Sequence, residues 1–200
     1  MKTLKLYIKE ALHINKDTKG DYYNYHPKTK DELNEIIYTL IKDRGINADL
    51  NDIDTSEITD MSYVFFNSKF NGDISKWDVS NVKDMENMFG QSQFNGDISK
   101  WDVSKVKYMT SMFNTSKFNG DISKWNTSNV IIMSYVFEYS NFNGDISNWD
   151  VSKVKRTTYM FHNSKFNGDI SGWDVSNVID TRDMFDGCPL ENNPPKWYKK

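Results

Sequence analysis

The chain has 200 residues, of which 38% are hydrophobic and 14% aromatic, and its net charge is −3. This balance provides no basic field for nucleic acid or acidic lipid, so we predict neither a nucleic-acid partner nor membrane insertion. The single cysteine, Cys188, excludes an intrachain disulfide, and no run approaches the roughly 18 apolar residues that cross a bilayer.

The first 52 residues are predicted to form a helical leader. Leu4, Ile8 and Leu12 share one face at helical spacing. Lys5 and Lys9 interrupt the apolar run that a secretion signal would need. We therefore expect a protein that is cytoplasmic as synthesised, with a virion or a cell surface left open as its destination.

A second helix is predicted just before the rest of the chain. Thr29 and Glu32 fit a capping box, with the threonine as N-cap and the glutamate reaching back. One apolar stripe follows, made of Leu33, Ile36, Ile37, Leu40 and Ile41. Gly45 suits the left-handed stop of the helix. The predicted role of this helix is to cover the first repeat, which would otherwise expose a strand edge and aromatic rings.

From residue 53 onward the sequence repeats every 24 residues without slippage. The tryptophans mark the interval: Trp77, Trp101, Trp125, Trp149, Trp173 and Trp197. Copies 1 to 6 begin at Ile53, Trp77, Trp101, Trp125, Trp149 and Trp173, respectively. A unit of this length cannot bury its apolar face alone, so neighbouring copies must cover each other. The predicted organisation is a leader and cap over 1–52, a six-repeat solenoid over 53–197 and a tail over 198–200.

Each copy is predicted to contain one short strand and one short helical turn. The residues from Asp73 to Trp77 alternate polar and apolar after an Asn-Gly turn, which favours a strand. Val82, Met85 and Met88 follow at a spacing that favours a short helix or 3₁₀ turn. Parallel pairing of such strands from copy to copy predicts an α/β repeat solenoid with an N-terminal helical cap.

One stretch of copies 2 and 3 carries a family resemblance. The run Phe-Asn-Gly-Asp-Ile-Ser-Lys-Trp-Asp-Val-Ser-Lys-Val at 94–106, followed by Met109 and Met112-Phe113, resembles the BspA-like repeat family. That family is a short-repeat relative of leucine-rich repeats, found mainly in bacterial surface proteins and lipoproteins. The resemblance implies a leucine-rich-repeat-like solenoid with a role in adhesion or protein binding, and it brings no catalytic residues. The leader around residues 26–33 also looks like regions that precede such repeats in bacteriophage and mobile-element proteins.

Two columns of aspartates recur through the copies. One is Asp73, Asp97, Asp121, Asp145 and Asp169, and the other is Asp78, Asp102, Asp150 and Asp174, interrupted by Asn126. Such columns could form a row of calcium sites, or each carboxylate could accept backbone N–H bonds in a turn. We predict turn chemistry, without a metal or cofactor, because the double glycine and nine-residue period of calcium-binding repeats are absent.

No group of residues has the pattern of a catalytic site, so we predict that the protein is not an enzyme. His13, His26 and His162 are far apart in sequence and share no metal-ligand spacing. Cys188 stands in a column that is serine in the other copies, which indicates a small residue facing the coil rather than a nucleophile.

The columns that vary between copies are predicted to face outward and to hold the binding residues. Five tyrosines lie in them: Tyr63, Tyr108, Tyr135, Tyr139 and Tyr159. Exposed tyrosines suit a binding surface because they bury a large area at low entropic cost, although the same rings could simply cover the outside of the coil. We predict a non-enzymatic module that binds a protein partner. The alternative is a structural or host-interaction component of a bacteriophage.

Overall fold

The computed structural model describes residues 22–199, so the predicted helix around Leu4 and Leu12 lies outside the described residues. The second predicted helix is present. This helix, α1, spans Lys30–Arg44, and its N-cap is Thr29, whose side chain accepts the N–H of Glu32 at 3.2 Å. The Glu32 carboxylate reaches back one residue further than predicted, to the N–H of Lys28 at 2.6 Å. Gly45 ends the helix with a positive φ of 91°.

Aromatic rings from successive copies stack on each other and form the core. Phe89 and Phe113 lie 5.7 Å apart between ring centroids, and Trp77 and Trp101 lie 6.5 Å apart with parallel planes. From Trp77 to Trp173 the tryptophans are at most 5% exposed, and their indole N–H groups donate to a main-chain carbonyl 27 residues earlier. The 24-residue interval of the sequence is therefore the interval at which the core stacks.

A ladder of backbone hydrogen bonds joins each copy to the next in one direction. In copy 1, the N–H groups of residues 61, 63, 65 and 67 donate to the carbonyls of residues 84, 86, 88 and 90 in copy 2. The same four bonds recur at each of the four later junctions, ending with residues 157, 159, 161 and 163 bonded to 180, 182, 184 and 186. We call these bonds the ladder. At these four positions each copy presents N–H groups to the copy after it and carbonyls to the copy before it, while other bonds, such as that from the Lys83 N–H to the Thr59 carbonyl, run the opposite way.

The N–H groups between those of the ladder are satisfied inside their own copy. The N–H groups of Val64, Phe66 and Ser68 donate to carbonyls three residues earlier, and the pattern recurs in the other copies. Buried backbone groups need such partners, because an unpaired one costs about 1–3 kcal/mol. Along this segment, N–H groups that join two copies therefore alternate with N–H groups that close a turn within one copy.

The backbone pairing takes the form of single parallel bridges rather than a multi-residue strand. Within residues 22–199, a column of bridges joins Asp60, Asp84, Tyr108, Ile132, Arg156 and Asp180 in succession. This column lies several residues beyond the predicted strand, and Ser75 and Lys76 are in a turn. The physical reason is the Asp73 side chain, whose Oδ1 accepts the N–H of Ser75 at 2.9 Å and turns the chain. The run from Val82 to Met88 contains the bridge residue Asp84 and enters a turn at residue 86 instead of forming a helix.

Helix α1 takes the place that a preceding copy would occupy. Residues 46–50 already pair with residues 71–73 in the 24-residue register, through bonds such as that from the N–H of Leu50 to the carbonyl of Asp73 at 2.9 Å. Residues 37–43, which lie 24 positions before the ladder donors at 61–67, belong to the C-terminal half of α1. The helix buries Leu33, Ile36, Ile37 and Leu40 in the shared core, and the Lys30 amine bonds Asp60 at 2.8 Å. The carbonyl edge of copy 1 is thus covered by a helix.

The buried tryptophan column predicts a large loss of stability when one indole is removed. Trp125 is 3% exposed, stacks on Trp149 at 6.3 Å and bonds the carbonyl of Ile98. We expect Trp125→Ala to lower the free energy of unfolding by about 3–5 kcal/mol. The exposed neighbour Lys124 gives the matched control, because Lys124→Ala should change stability by less than about 0.5 kcal/mol. Urea unfolding that shows equal stability for the two variants would place Trp125 outside the core.

Candidate functional site

Two columns of the repeat have left-handed backbone, and four of the five predicted tyrosines lie in them. The first column is Tyr63, Asn87, Ser111, Tyr135, Tyr159 and Asp183, and the second is Asn67, Gln91, Thr115, Tyr139, Asn163 and Gly187. Their φ angles run from 50° to 69°. Asparagine, aspartate and glycine adopt this conformation most readily, and a bulky side chain there is a strained exception. The fifth tyrosine, Tyr108, lies in the bridge column instead.

The structure brings Tyr135, Tyr139 and Tyr159 together around His162. Tyr135 and Tyr159 stack one copy apart, with ring centroids at 5.3 Å and planes 6° from parallel. His162 places its ring edge-on against Tyr159 at 5.1 Å and against Tyr139 at 5.4 Å. These four residues, called the tyrosine cluster below, form a continuous aromatic surface across copies 4 and 5.

The tyrosine cluster is held from one side by Glu138. His162 Nδ1 lies 3.2 Å from Glu138 Oε1, and Asn114 Nδ2 donates to Glu138 Oε2 at 2.6 Å. Both Glu138 and His162 are largely buried, with side chains 16% and 20% exposed. Glu138 therefore fixes the orientation of the imidazole that lies between the tyrosine rings.

On the other side, the Tyr159 hydroxyl is bonded by Asp183, which raises the pKa of Tyr159. A groove of about 290 Å³ opens beside the Tyr135 ring, with Arg156 and Arg182 on its walls. The Arg182 guanidinium donates two hydrogen bonds, of 2.9 and 2.7 Å, to the Asp180 carboxylate. These bonds lower the pKa of Asp180 well below its usual range. The groove thus combines an aromatic wall with cationic groups.

Tyr63 and Tyr108 do not join the tyrosine cluster. Tyr63 lies in copy 1, where its hydroxyl donates to Glu86 at 2.9 Å and its ring contacts Phe66 edge-on at 5.6 Å. Tyr108 lies in copy 3, where its backbone bridges to Ile132. The predicted set of five is therefore one cluster of three residues and two separate exposed rings.

Sequence reasoning missed two residues of this surface, His162 and Glu138. In the sequence, His162 is marked only as one of three histidines that are far apart and share no metal-ligand spacing. The signal that could have found the pair is the register, since 138 and 162 are one repeat apart in the same column. An acid and an imidazole at that spacing lie side by side once the copies stack.

The aspartate columns perform the predicted turn chemistry. In the first column, Oδ1 of each aspartate accepts the N–H of the serine two residues later at 2.9 Å. The second column does the same, and Asn126, which interrupts it, makes the equivalent bond through its amide oxygen at 3.1 Å. Because an uncharged amide replaces a carboxylate there, the bond does not depend on charge. No group of three possible ligands for a metal ion occurs within residues 22–199.

Cys188, the residue in the serine column, is buried and 5% exposed, as predicted for a small side chain facing the coil. Burial raises the pKa of its thiol. A protonated thiol is a poor nucleophile, which agrees with a packing role.

A family model described as "Mycoplasma protein of unknown function, DUF285" matches residues 34–139 and again residues 113–197. The chain belongs to the DUF285 family. The two matches together include all six copies, the tyrosine cluster and most of α1. No curated protein and no solved structure matches the chain. Among the described residues of this DUF285 protein, no helix is long and apolar enough to cross a membrane.

The aspartate bonds predict a specific contribution to acid sensitivity. The serine N–H bonds lower the pKa of Asp97, Asp121 and Asp145. A carboxylate whose pKa is lowered by folding stabilises the fold above its unfolded pKa of about 3.9, and this stability is lost as the pH falls through the folded pKa. We expect the triple variant Asp97→Asn/Asp121→Asn/Asp145→Asn to lose less stability than wild type between about pH 5 and pH 2. Urea midpoints that fall in parallel over this range would contradict a role for these carboxylates.

Proposed function

We propose that this DUF285 protein is a non-enzymatic module that binds a protein partner through the tyrosine cluster. The observation that carries the proposal is the placement of bulky rings at left-handed backbone positions outside the core. Tyr135 and Tyr159 are half-buried and Tyr139 is 54% exposed, so their rings remain accessible. Tyrosine is enriched at binding hot spots because a rigid amphipathic ring buries much area.

The energetics of folding give little reason for rings in these columns. A non-glycine residue in the left-handed region costs about 1–2 kcal/mol. The stack between the Tyr135 and Tyr159 rings stabilises the folded state by about 0.5–1.5 kcal/mol, which offsets the backbone strain of one of the two residues. Copies 2 and 3 place Asn87 and Ser111 in the same column and keep the same ladder. Since the fold does not need the rings, we attribute them to recognition.

The site is proposed to bind rather than to catalyse. The side-chain hydrogen-bond partners of His162 within residues 22–199 are Glu138 and Asn163. Neither is a nucleophile that an imidazole activates. An imidazole held by a carboxylate between two tyrosine rings instead gives a fixed surface with apolar and polar parts, which suits a protein interface.

For the whole chain we propose a leucine-rich-repeat-like solenoid of the BspA-like type, capped by α1. The 24-residue stacking interval, the parallel bridge column and the membership in DUF285 support this assignment. In such an architecture the outward columns form one long surface, and the tyrosine cluster occupies its C-terminal half.

Replacement of the stacked tyrosines by asparagine separates recognition from folding. Asparagine tolerates the left-handed backbone, as Asn87 demonstrates in the same column. We expect Tyr135→Asn/Tyr159→Asn to change the free energy of unfolding by less than about 1 kcal/mol, because relief of strain offsets loss of the stack. In affinity capture from the native host, read by mass spectrometry, the partner should be recovered at least about tenfold less by the double variant.

The variant Tyr63→Asn is the matched control, because Tyr63 occupies the same column with the same backbone but lies three copies away. It should capture the partner as well as wild type does. Undiminished capture by the double variant, with folding unchanged, would place the binding surface elsewhere.

A further inference from the structure

The C-terminal end of the array leaves backbone donors of the ladder open. In copy 5, the N–H groups of Thr157 and Tyr159 donate to copy 6. The equivalent groups of copy 6 are those of Thr181 and Asp183, and they meet no acceptor within the described residues 22–199. The carbonyl of Ile179, which matches an acceptor in every earlier copy, likewise receives no N–H there.

The Glu191 side chain places an oxygen atom where a carbonyl of a following copy would lie. Its Oε2 accepts the N–H of Gly187 at 3.0 Å. The equivalent N–H in copy 5, that of Asn163, donates to a main-chain carbonyl of copy 6. A carboxylate oxygen therefore already occupies one acceptor position beyond copy 6. Next to it, the Tyr198 ring packs edge-on against the Phe185 ring at 4.8 Å.

The residues that carry these open groups line a cleft at this end of the chain. The cleft has a volume of about 680 Å³, and Thr181, Asp183 and Tyr198 line it together with Arg156 and Ile179. The Ile179 side chain is 75% exposed, which makes it the most exposed large hydrophobic residue described. Open backbone donors and an exposed apolar side chain therefore face the same space.

We propose that this cleft binds a peptide segment of a partner protein by continuing the ladder. The segment donates one N–H to the Ile179 carbonyl and offers two carbonyls, from residues two apart, to the N–H groups of Thr181 and Asp183. This is the pattern by which each copy receives the next. An apolar or aliphatic side chain of the segment covers Ile179. The inference rests on the proposed protein-binding function and names a second surface and the main-chain chemistry it recognises.

A main chain fits the cleft better than a free anion or a second copy of this chain. The charges that line the cleft do not favour an anion, because Asp183 and Asp186 offset Arg156 and Lys199, and Arg182 is paired with Asp180. In a second copy, the complementary carbonyls belong to copy 1, and α1 occupies the space in front of them. Within residues 22–199 the two ends of the array therefore differ: a helix covers the carbonyl end, and the N–H groups of Thr181 and Asp183 at the other end have no acceptor.

A synthetic peptide with the sequence of residues 104–115 provides the probe. In the full chain this segment pairs with copy 2. The Lys107 N–H donates to a carbonyl of copy 2, and the carbonyls of Tyr108 and Thr110 accept two N–H groups of copy 2. Amide hydrogen exchange of the full chain, followed by NMR, reports each backbone donor separately. We expect exchange at Thr181 and Asp183 to slow at least about tenfold with the peptide and to stay unchanged with a scrambled peptide.

A pair of variants tests the donor itself. Thr181→Pro removes the N–H, and because that N–H meets no acceptor within residues 22–199, the variant breaks no backbone bond of the fold there. Thr181→Ala keeps the N–H. We expect Thr181→Pro to weaken peptide binding roughly tenfold and Thr181→Ala to leave it within about twofold. The exchange experiment on wild type decides the question if Thr181→Pro does not fold.

The outcomes separate this inference from the proposed function. Exchange rates at Thr181 and Asp183 that do not change at millimolar peptide would overturn the inference. Exchange at these residues that slows when the protein concentration is raised, with no peptide present, would also overturn the inference. It would show that a second molecule of this protein binds the edge. The single variant Tyr135→Asn, which leaves the contact between Tyr159 and Asp183 in place, should bind the peptide normally, so failure of either surface leaves the other testable.

Discussion

The fold of this DUF285 protein depends on the one-directional ladder of backbone hydrogen bonds between copies. Four N–H groups of each copy donate to four carbonyls of the next, and the same register recurs at all five junctions. The register forces identical positions to lie above each other, which stacks the phenylalanines and tryptophans into the core. It also stacks the variable columns on the outside. The tyrosine cluster exists because Tyr135 and Tyr159 are one repeat apart in such a column.

The direction of the ladder makes the two ends of the array chemically different. At the ladder positions one end presents carbonyls and the other presents N–H groups, with the Ile179 carbonyl beside them, so each end needs its own solution to unpaired backbone. Helix α1 covers the carbonyl end and contributes four side chains to the core. At the N–H end, Glu191 and Tyr198 occupy part of the edge, and the remainder opens into a cleft.

The sequence predicted the features that depend on side-chain spacing. The N-cap and the apolar stripe of α1, the burial of the tryptophan column and the turn bonds of the aspartates all follow from residue type and interval. The position of the backbone pairing could not be predicted in this way. The left-handed columns mix asparagine, aspartate and one glycine with tyrosine, serine, threonine and glutamine, so residue type marks them only in part. The alternation from Asp73 to Trp77 was interpreted as a strand, but the side-chain bond of Asp73 to the N–H of Ser75 makes a turn.

The candidate site was predictable only in part, for a related reason. The variation of their columns between copies predicts that Tyr135, Tyr139 and Tyr159 face outward. That variation carries no information about neighbours in other columns, so it does not predict the contact of His162 with Glu138 and two tyrosine rings. Contacts of that kind combine residues from adjacent columns and adjacent copies, and they appear only when the twist and register of the backbone are known.

The central claim, the register and direction of the ladder, is open to direct measurement. Long-range NMR correlations across hydrogen bonds connect an amide nitrogen to the carbonyl carbon of its acceptor. The ladder predicts correlations from Tyr135 to Thr158 and from Phe137 to Met160, each spanning 23 residues toward the C-terminus. Correlations from these amides to carbonyls of copy 3 would contradict the ladder. The absence of any correlation from them to a carbonyl of copy 5 would contradict it as well.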